Sequence, residues 1–404
     1  MNTLAPFAYH NTLRDHFKQR KKTWEWFQSD TIKEKQITKF KSDLLKNTYR
    51  LDKTSHPEVY EIIREIQEIL FIDADVTVYQ EYNSTQLNAG ISIVEKEAHI
   101  VLSGNLLKIL SPEEVKAVLA HELSHYLFFK IEDGSFEVTQ RIIIALANDY
   151  RSDDAYIQTA RIYQLYLELY CDAGSLLVCK DYKTVISALV KMNTGLSEVN
   201  ADSYILQAEE IIKKDPEASK NFSHPEAYIR SLALKYSRDK ELSPAIEWNS
   251  LIKGALDLET LDIFQQKEVQ KYTRDILKLI IAPDWMNTST VQNLCKKYFS
   301  DFTRTAKGMS VDELADIIKK AKTSIHDYFS YVLLDFARVD ADLEELALGY
   351  TLEIAEQLQL QEAYSKIVRK ELKLTARAFK TLQEKILQEL VKVNENGENG
   401  LYQE

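Results

Sequence analysis

Glycine and proline are scarce in this chain, at 10 and 7 residues in 404. With Leu, Glu, Lys, Ala and Gln abundant, that shortage points to a mostly helical protein. Cysteine is scarcer still. Cys171, Cys179 and Cys295 are odd in number and lack ligand spacing, which excludes a disulfide framework and suits a reducing compartment. No apolar run reaches the ~18–20 residues that a membrane-crossing helix needs. The first ten residues lack the basic and apolar regions of a signal peptide, so a cytoplasmic location is expected. Positive charge is also in deficit: 51 Lys and Arg against 62 Asp and Glu leave a net charge of −11, which argues against general nucleic-acid binding.

What is present is length, ordinary hydrophobicity and one unusual helix. The chain is long enough for two or three domains, each with its own core. Residues 1–53 carry twelve Lys or Arg against six Asp or Glu, so the remainder is more acidic still. The stretch around Trp24, Trp26 and Phe27 reads as helical. Its aromatics are expected to pack on the following domain rather than dock the basic N-terminus on a membrane surface or an acidic partner.

Ser111 to Lys130 opens like a helix, with Ser111 placed to cap, Pro112 at the first position and Glu114 closing a capping box. From Ala117 to Phe129 it is apolar on almost every side, as a buried helix should be. His121, Glu122 and His125 interrupt that run, and burying them is costly unless they are paired or bound to metal. Four residues apart, His121 and His125 leave one helix face and can share a zinc ion, while Glu122 reaches water on it. This is the HExxH arrangement.

Before it, the pattern predicts a helix over 61–72, a short strand at 76–79, and a hairpin of 91–94 and 99–102. After it, 158–180 reads as a helix with one apolar face. A third ligand is expected downstream, and Glu168 is best placed, with Asp172 one turn on as the carboxylate that orients a ligand histidine. An exposed acidic pair is the plainer alternative for these two.

Together these segments resemble the gluzincin metallopeptidases of the HtpX and CAAX-prenyl-protease type. The resemblance rests on HExxH followed by Glu168-Leu169-Tyr170-Cys171-Asp172, and on three further segments in the same order. Those are Asn88-Ala89-Gly90, residues 101–107, and Ser223-His224-Pro225-Glu226-Ala227-Tyr228-Ile229-Arg230. It covers roughly residues 57 to 236. The resemblance implies an α+β domain, mainly α, with a small antiparallel sheet beside the HExxH helix. It implies one zinc per chain held by His121, His125 and Glu168, Glu122 as catalytic base, and His224 and Arg230 as supporting polar groups. Three departures stand out: Cys171 replaces alanine, Ala173 stands where arginine is usual, and the membrane helices of better-known members are missing.

The domains expected are a basic helical lead-in at 1–56, the peptidase domain at 57–243, a helical bundle at 244–393 and a disordered tail at 394–404. Residues 333–346 of the bundle look like a TerB-type tellurite-resistance bundle. Asp340, Asp342 and Glu345 there read better as an acidic helix start than as a cation site. The function expected is hydrolysis of protein or peptide substrates, with the bundle gating or selecting them. A dedicated precursor-processing protease, and a chaperone-like binding module with structural zinc, remain alternatives.

Overall fold

The computed structural model describes residues 4–29, 34–214, 217–237, 248–304 and 308–396. The chain forms two compact units, Met1–Gly254 and Ala255–Glu404.

In the first unit the N-terminal helices α1 (Ala8–Lys18) and α2 (Lys21–Ser29) fold back on the domain. Leu13 and Phe17 are fully buried, and the buried His10 ring lies 3.1 Å from the Tyr163 carbonyl. Trp24 is buried as well and Phe27 is half-buried, but Trp26 is exposed, so the expected packing of this aromatic group holds only in part. Next come α3 (Glu34–Asn47) and the short strand β1 (Thr48–Arg50), which the sequence pattern did not reveal. Helix α4 (Pro57–Leu70) buries Val59, Ile63, Ile66 and Leu70 at helical spacing, starting four residues earlier than expected because Pro57 takes the first turn.

Strands β2 (Asp75–Glu81), β3 (Asn88–Val94) and β4 (Glu97–Ser103) complete the sheet. Its order is β1-β2-β4-β3, and the expected antiparallel sheet is instead mixed, because β2 and β4 run parallel. Burial explains the order. Strand β4 hides Ala98, Ile100 and Leu102 and takes the centre, whereas β3, with Gly90 and Ser92, takes the edge. The link from β2 therefore skips one strand position and the hairpin folds back inward. At Gly104, φ is +68° and a Cβ would sit 2.8 Å from the Gln86 carbonyl oxygen, so only glycine fits where β4 turns away.

After the short α5 (Leu106–Ile109), α6 (Pro112–Ala147) carries the histidine motif. Its capping box at Ser111 and Glu114 is present as expected, and the helix breaks at Ile131–Gly134. Helices α7 (Ala155–Cys179) and α8 (Tyr182–Thr194) pack against it, and α9 (Ala201–Lys214) and α10 (Ala227–Tyr236) pack in turn on α8 and on each other. Buried Glu114 does a second job at the start of α6. It accepts from Lys191 Nζ at 2.9 Å and Ser187 Oγ at 2.6 Å, tying α8 down beside the motif.

The first unit ends with α11 (Trp248–Ile252); the second is helical, from α12 (Ile263–Ile280) through α13 (Ser289–Tyr298), α14 (Val311–Lys319) and α15 (Thr323–Arg338) to α16 (Glu344–Gln357), α17 (Gln361–Glu371) and α18 (Ala376–Asn396). It has its own apolar core, with Phe329, Phe336 and Tyr364 fully buried. Its acidic segment is occupied internally: Asp340 accepts from Thr288 Oγ1 at 2.5 Å, and Glu345 pairs with Lys385 at 2.6 Å. Helix α18 runs through residues 394–396, so that part of the expected tail is helical; residues 397–404 lie outside the described residues.

Candidate metal centre

Helices α6 and α7 approach so closely that one side chain has no room to exist. A Cβ on Gly174 would lie 2.0 Å from Ser124 Oγ. That contact brings the ligand-bearing faces together. From α6 come His121, Glu122 and His125; from α7 come Glu168, Cys171 and Asp172. Ser175 Oγ donates to the Ala117 carbonyl at 2.8 Å and pins the crossing about two turns back along α6.

The carboxylate of Glu168 lies among three imidazoles. Its Oε2 is 3.2 Å from His121 Nε2 and 3.3 Å from His224 Nε2, and its Oε1 is 3.7 Å from His125 Nε2. Gln164 Nε2 donates to Oε1 at 2.9 Å, but the buried Oε2 accepts no hydrogen bond among the described residues. A buried, unpartnered carboxylate oxygen is costly. Burial opposes the ionisation of Glu168, yet the close approach and charge of the His121 ring outweigh it and bring the carboxyl down to about 2.

Asp172 holds the far side of the His121 ring, with Oδ1 3.0 Å from Nδ1. Arg230 on α10 clamps Asp172 in turn, Nη2 to Oδ1 at 2.6 Å and Nε to Oδ2 at 2.7 Å. Burial works against charge on Asp172, but Arg230 more than offsets it and holds the carboxyl well below the usual range. Burial likewise opposes a proton on His121, and bonds to Asp172 and Glu168 override it, raising the ring to about 10. His125 is pushed down to about 4 by burial, leaving a neutral ring. Glu122 is raised by burial to about 7, with Glu168 adding to the effect.

These residues fit a divalent cation. Two imidazoles converge on a buried carboxylate whose free oxygen asks for positive charge, and a second carboxylate fixes one ring through its other nitrogen.

Residues 54–238 match the profile of peptidase family M48. This segment is an M48 domain. The chain is also similar to the plastoglobule-localized metallopeptidase 48, chloroplastic, of Arabidopsis thaliana: 27% identical over 223 residues, 51% of this chain and 62% of that protein. The chain thus spans less than two thirds of that relative's length. No solved structure matches it. The helices α1 and α2 lie ahead of the matched segment but belong to the same compact unit.

The M48 domain brings every expected site residue to one place. His121, Glu122, Asp172, His224 and Arg230 line one cavity of about 610 Å³, with His125 and Glu168 directly behind. His224 is the most open of them, its side chain 56% exposed and its Nδ1 2.9 Å from Ser223 Oγ. Two features escaped the sequence reading. Part of the cavity lining is apolar, made by Val118, Val185, Ala188, Leu189 and Met192 from α6 and α8; their helical spacing reads as ordinary core. Cys171, read as a harmless stand-in for alanine, places its Sγ within 4.8 Å of a ring nitrogen of both His121 and His125. No described helix is long and apolar enough to cross a membrane.

Proposed function

We propose that this chain is a zinc-dependent metalloendopeptidase, with His121, His125 and Glu168 holding one zinc and Glu122 acting as general base. The observation that carries this reading is the buried Glu168 carboxylate, with one HExxH imidazole on each oxygen: His121 lies 3.2 Å from Oε2, which accepts no well-aligned hydrogen bond among the described residues, and His125 lies 3.7 Å from Oε1. Zinc, when bound, acidifies water toward a pKa of ~7 and polarises a carbonyl. The chain's own groups do the rest. Glu122 faces the cavity with its carboxyl raised to about 7, so near neutral pH it can take a proton from water and return it to the leaving amine. Such proton transfer is worth roughly 10²–10⁴-fold. Asp172 and Arg230 fix the His121 ring. His224, the exposed imidazole on the cavity wall, donates toward developing oxyanion charge. The apolar wall on α8 receives an aliphatic side chain next to the scissile bond.

The second unit, with its separate core, selects which polypeptides reach the site. Among the described residues no potential metal-ligand group lies in it, which supports a role in recognition rather than chemistry. The test is metal analysis and peptide-library cleavage on wild type and Glu122→Gln. Stoichiometric zinc in both and hydrolysis only in wild type support the reading; equal turnover in the variant overturns the base role.

A further inference from the structure

Cys171 follows Glu168 by three residues on α7, so the thiol and the carboxylate leave neighbouring positions on the same helix face. It is fully buried. Its Sγ and one ring nitrogen each of His121 and His125 lie within 4.8 Å of one another. Donors around a tetrahedral ion with bonds of ~2.0–2.3 Å stand about 3.4–3.6 Å apart, so roughly 1 Å of contraction suffices to bring the sulfur into contact. Buried cysteines often serve as small apolar residues. This one faces the two imidazoles that Glu168 also faces.

We propose that α7 carries two alternative third ligands for one imidazole pair, the Glu168 carboxylate and the Cys171 thiolate. The inference rests on the metallopeptidase reading, since it uses the same histidines. Cys171 is absent from the cavity lining, so its sulfur approaches from the protein side, as Glu168 does, and leaves the cavity-facing position open. Binding transfers the thiol proton to solvent as the metal–sulfur bond forms. Burial and the surrounding carboxylates hold that proton on the free thiol, and the charge of the ion reverses the preference. The consequence is a site with a choice of donor. The carboxylate suits zinc, and the thiolate admits softer ions such as cadmium.

The test uses the full chain with zinc and cadmium as probes. Glu168→Ala should lose more zinc affinity than the ~10–100-fold that a supporting residue costs yet still bind, and X-ray absorption on the zinc-loaded variant should show a sulfur neighbour at about 2.3 Å. Adding Cys171→Ser should remove that sulfur and cost at least about another tenfold. In the wild-type background, Cys171→Ser should lower the cadmium-to-zinc affinity ratio. An all-nitrogen-and-oxygen shell in Glu168→Ala, with no further loss on adding Cys171→Ser, overturns the proposal while leaving the zinc reading intact. If Glu168→Ala does not fold, the wild-type comparison decides: an unchanged cadmium-to-zinc ratio in Cys171→Ser overturns it. Wild-type zinc binding that is indifferent to His121→Ala and His125→Ala would sink the metallopeptidase reading and this inference together.

Discussion

Arg230 grips Asp172 with two parallel hydrogen bonds, at 2.6 and 2.7 Å, and the same carboxylate reaches His121 Nδ1 at 3.0 Å. The three residues come from α10, α7 and α6, so one charged chain ties three helices to one ring orientation. The position after Asp172, where arginine is usual in the family resembled, holds Ala173. A guanidinium from α10 grips the carboxylate instead.

Because the grip is bidentate, Arg230→Lys is not a mild change. It leaves a point charge beside Asp172 and frees the carboxylate to turn. We expect about 10–100-fold weaker zinc binding in Arg230→Lys and in Asp172→Asn, and a larger loss in Glu168→Ala, measured by competition with a chelating dye. A Glu168→Ala protein that keeps stoichiometric zinc while Asp172→Asn loses it would reverse the ligand assignment.

As the proposed general base, Glu122 should set the acid side of the pH profile. Its carboxyl is raised from 4.5 to about 7, chiefly by burial, and it works as a base only when ionised. A zinc ion nearby favours ionisation, so kcat/KM should fall as pH drops below about 7, with a midpoint no higher than that. Stability runs the opposite way. The folded chain binds this proton more tightly than the unfolded one, so the associated stability is complete below the ordinary 4.5 and is lost as pH rises through 7. Metal-free Glu122→Gln should therefore melt higher than metal-free wild type at pH 8, by up to about 3 kcal/mol, and match it near pH 4. Equal melting temperatures at pH 8 would show that the carboxylate carries no burial penalty.

The grouping of the candidate ligands was legible in the sequence because they ride on helices. A spacing of four fixes His121 and His125 on one face, and the same spacing puts Glu168 and Asp172 together on α7, whatever the rest of the chain does. The sheet was less legible. Strand positions followed from alternation and turn residues, but the order β1-β2-β4-β3 depends on which strand hides both faces, a property of its distant neighbours. The three-residue β1 is too short to show a period. Cys171 carried no signal in the sequence, because its interest lies in where its sulfur sits relative to His121 and His125, which the fold decides. Gly174 carried a usable signal: a lone glycine within a long helical pattern usually marks close packing.

Gly174 offers the cleanest structural test. An added methyl would overlap Ser124 Oγ at 2.0 Å and Ser124 Cβ at 2.8 Å, so α6 and α7 must part. Gly174→Ala should destabilise the first unit by about 1–3 kcal/mol despite its better helix propensity. The separation should also spread the ligands and weaken zinc binding. Ser124→Gly in the same chain removes the opposing atoms and should restore most of the affinity. If Gly174→Ala melts and binds as wild type does, the crossing is looser than 2.0 Å implies.

The selecting role proposed for the second unit is tested by removing it. The first unit, Met1–Gly254, holds every proposed ligand and a continuous apolar core around the motif helix. A chain ending at Gly254 should therefore bind one zinc through His121, His125 and Glu168. If the helices of 255–404 choose what reaches the cavity, the shortened chain should cleave a wider set of unstructured peptides than the full chain. Its preference for an aliphatic residue beside the scissile bond should survive, because that wall is built from α6 and α8 within the first unit. Mass spectrometry of one peptide library digested by both chains measures both features at once. Identical profiles and rates would take the second unit out of substrate selection. A lost aliphatic preference with zinc still bound would instead place that preference outside Val185, Leu189 and Met192.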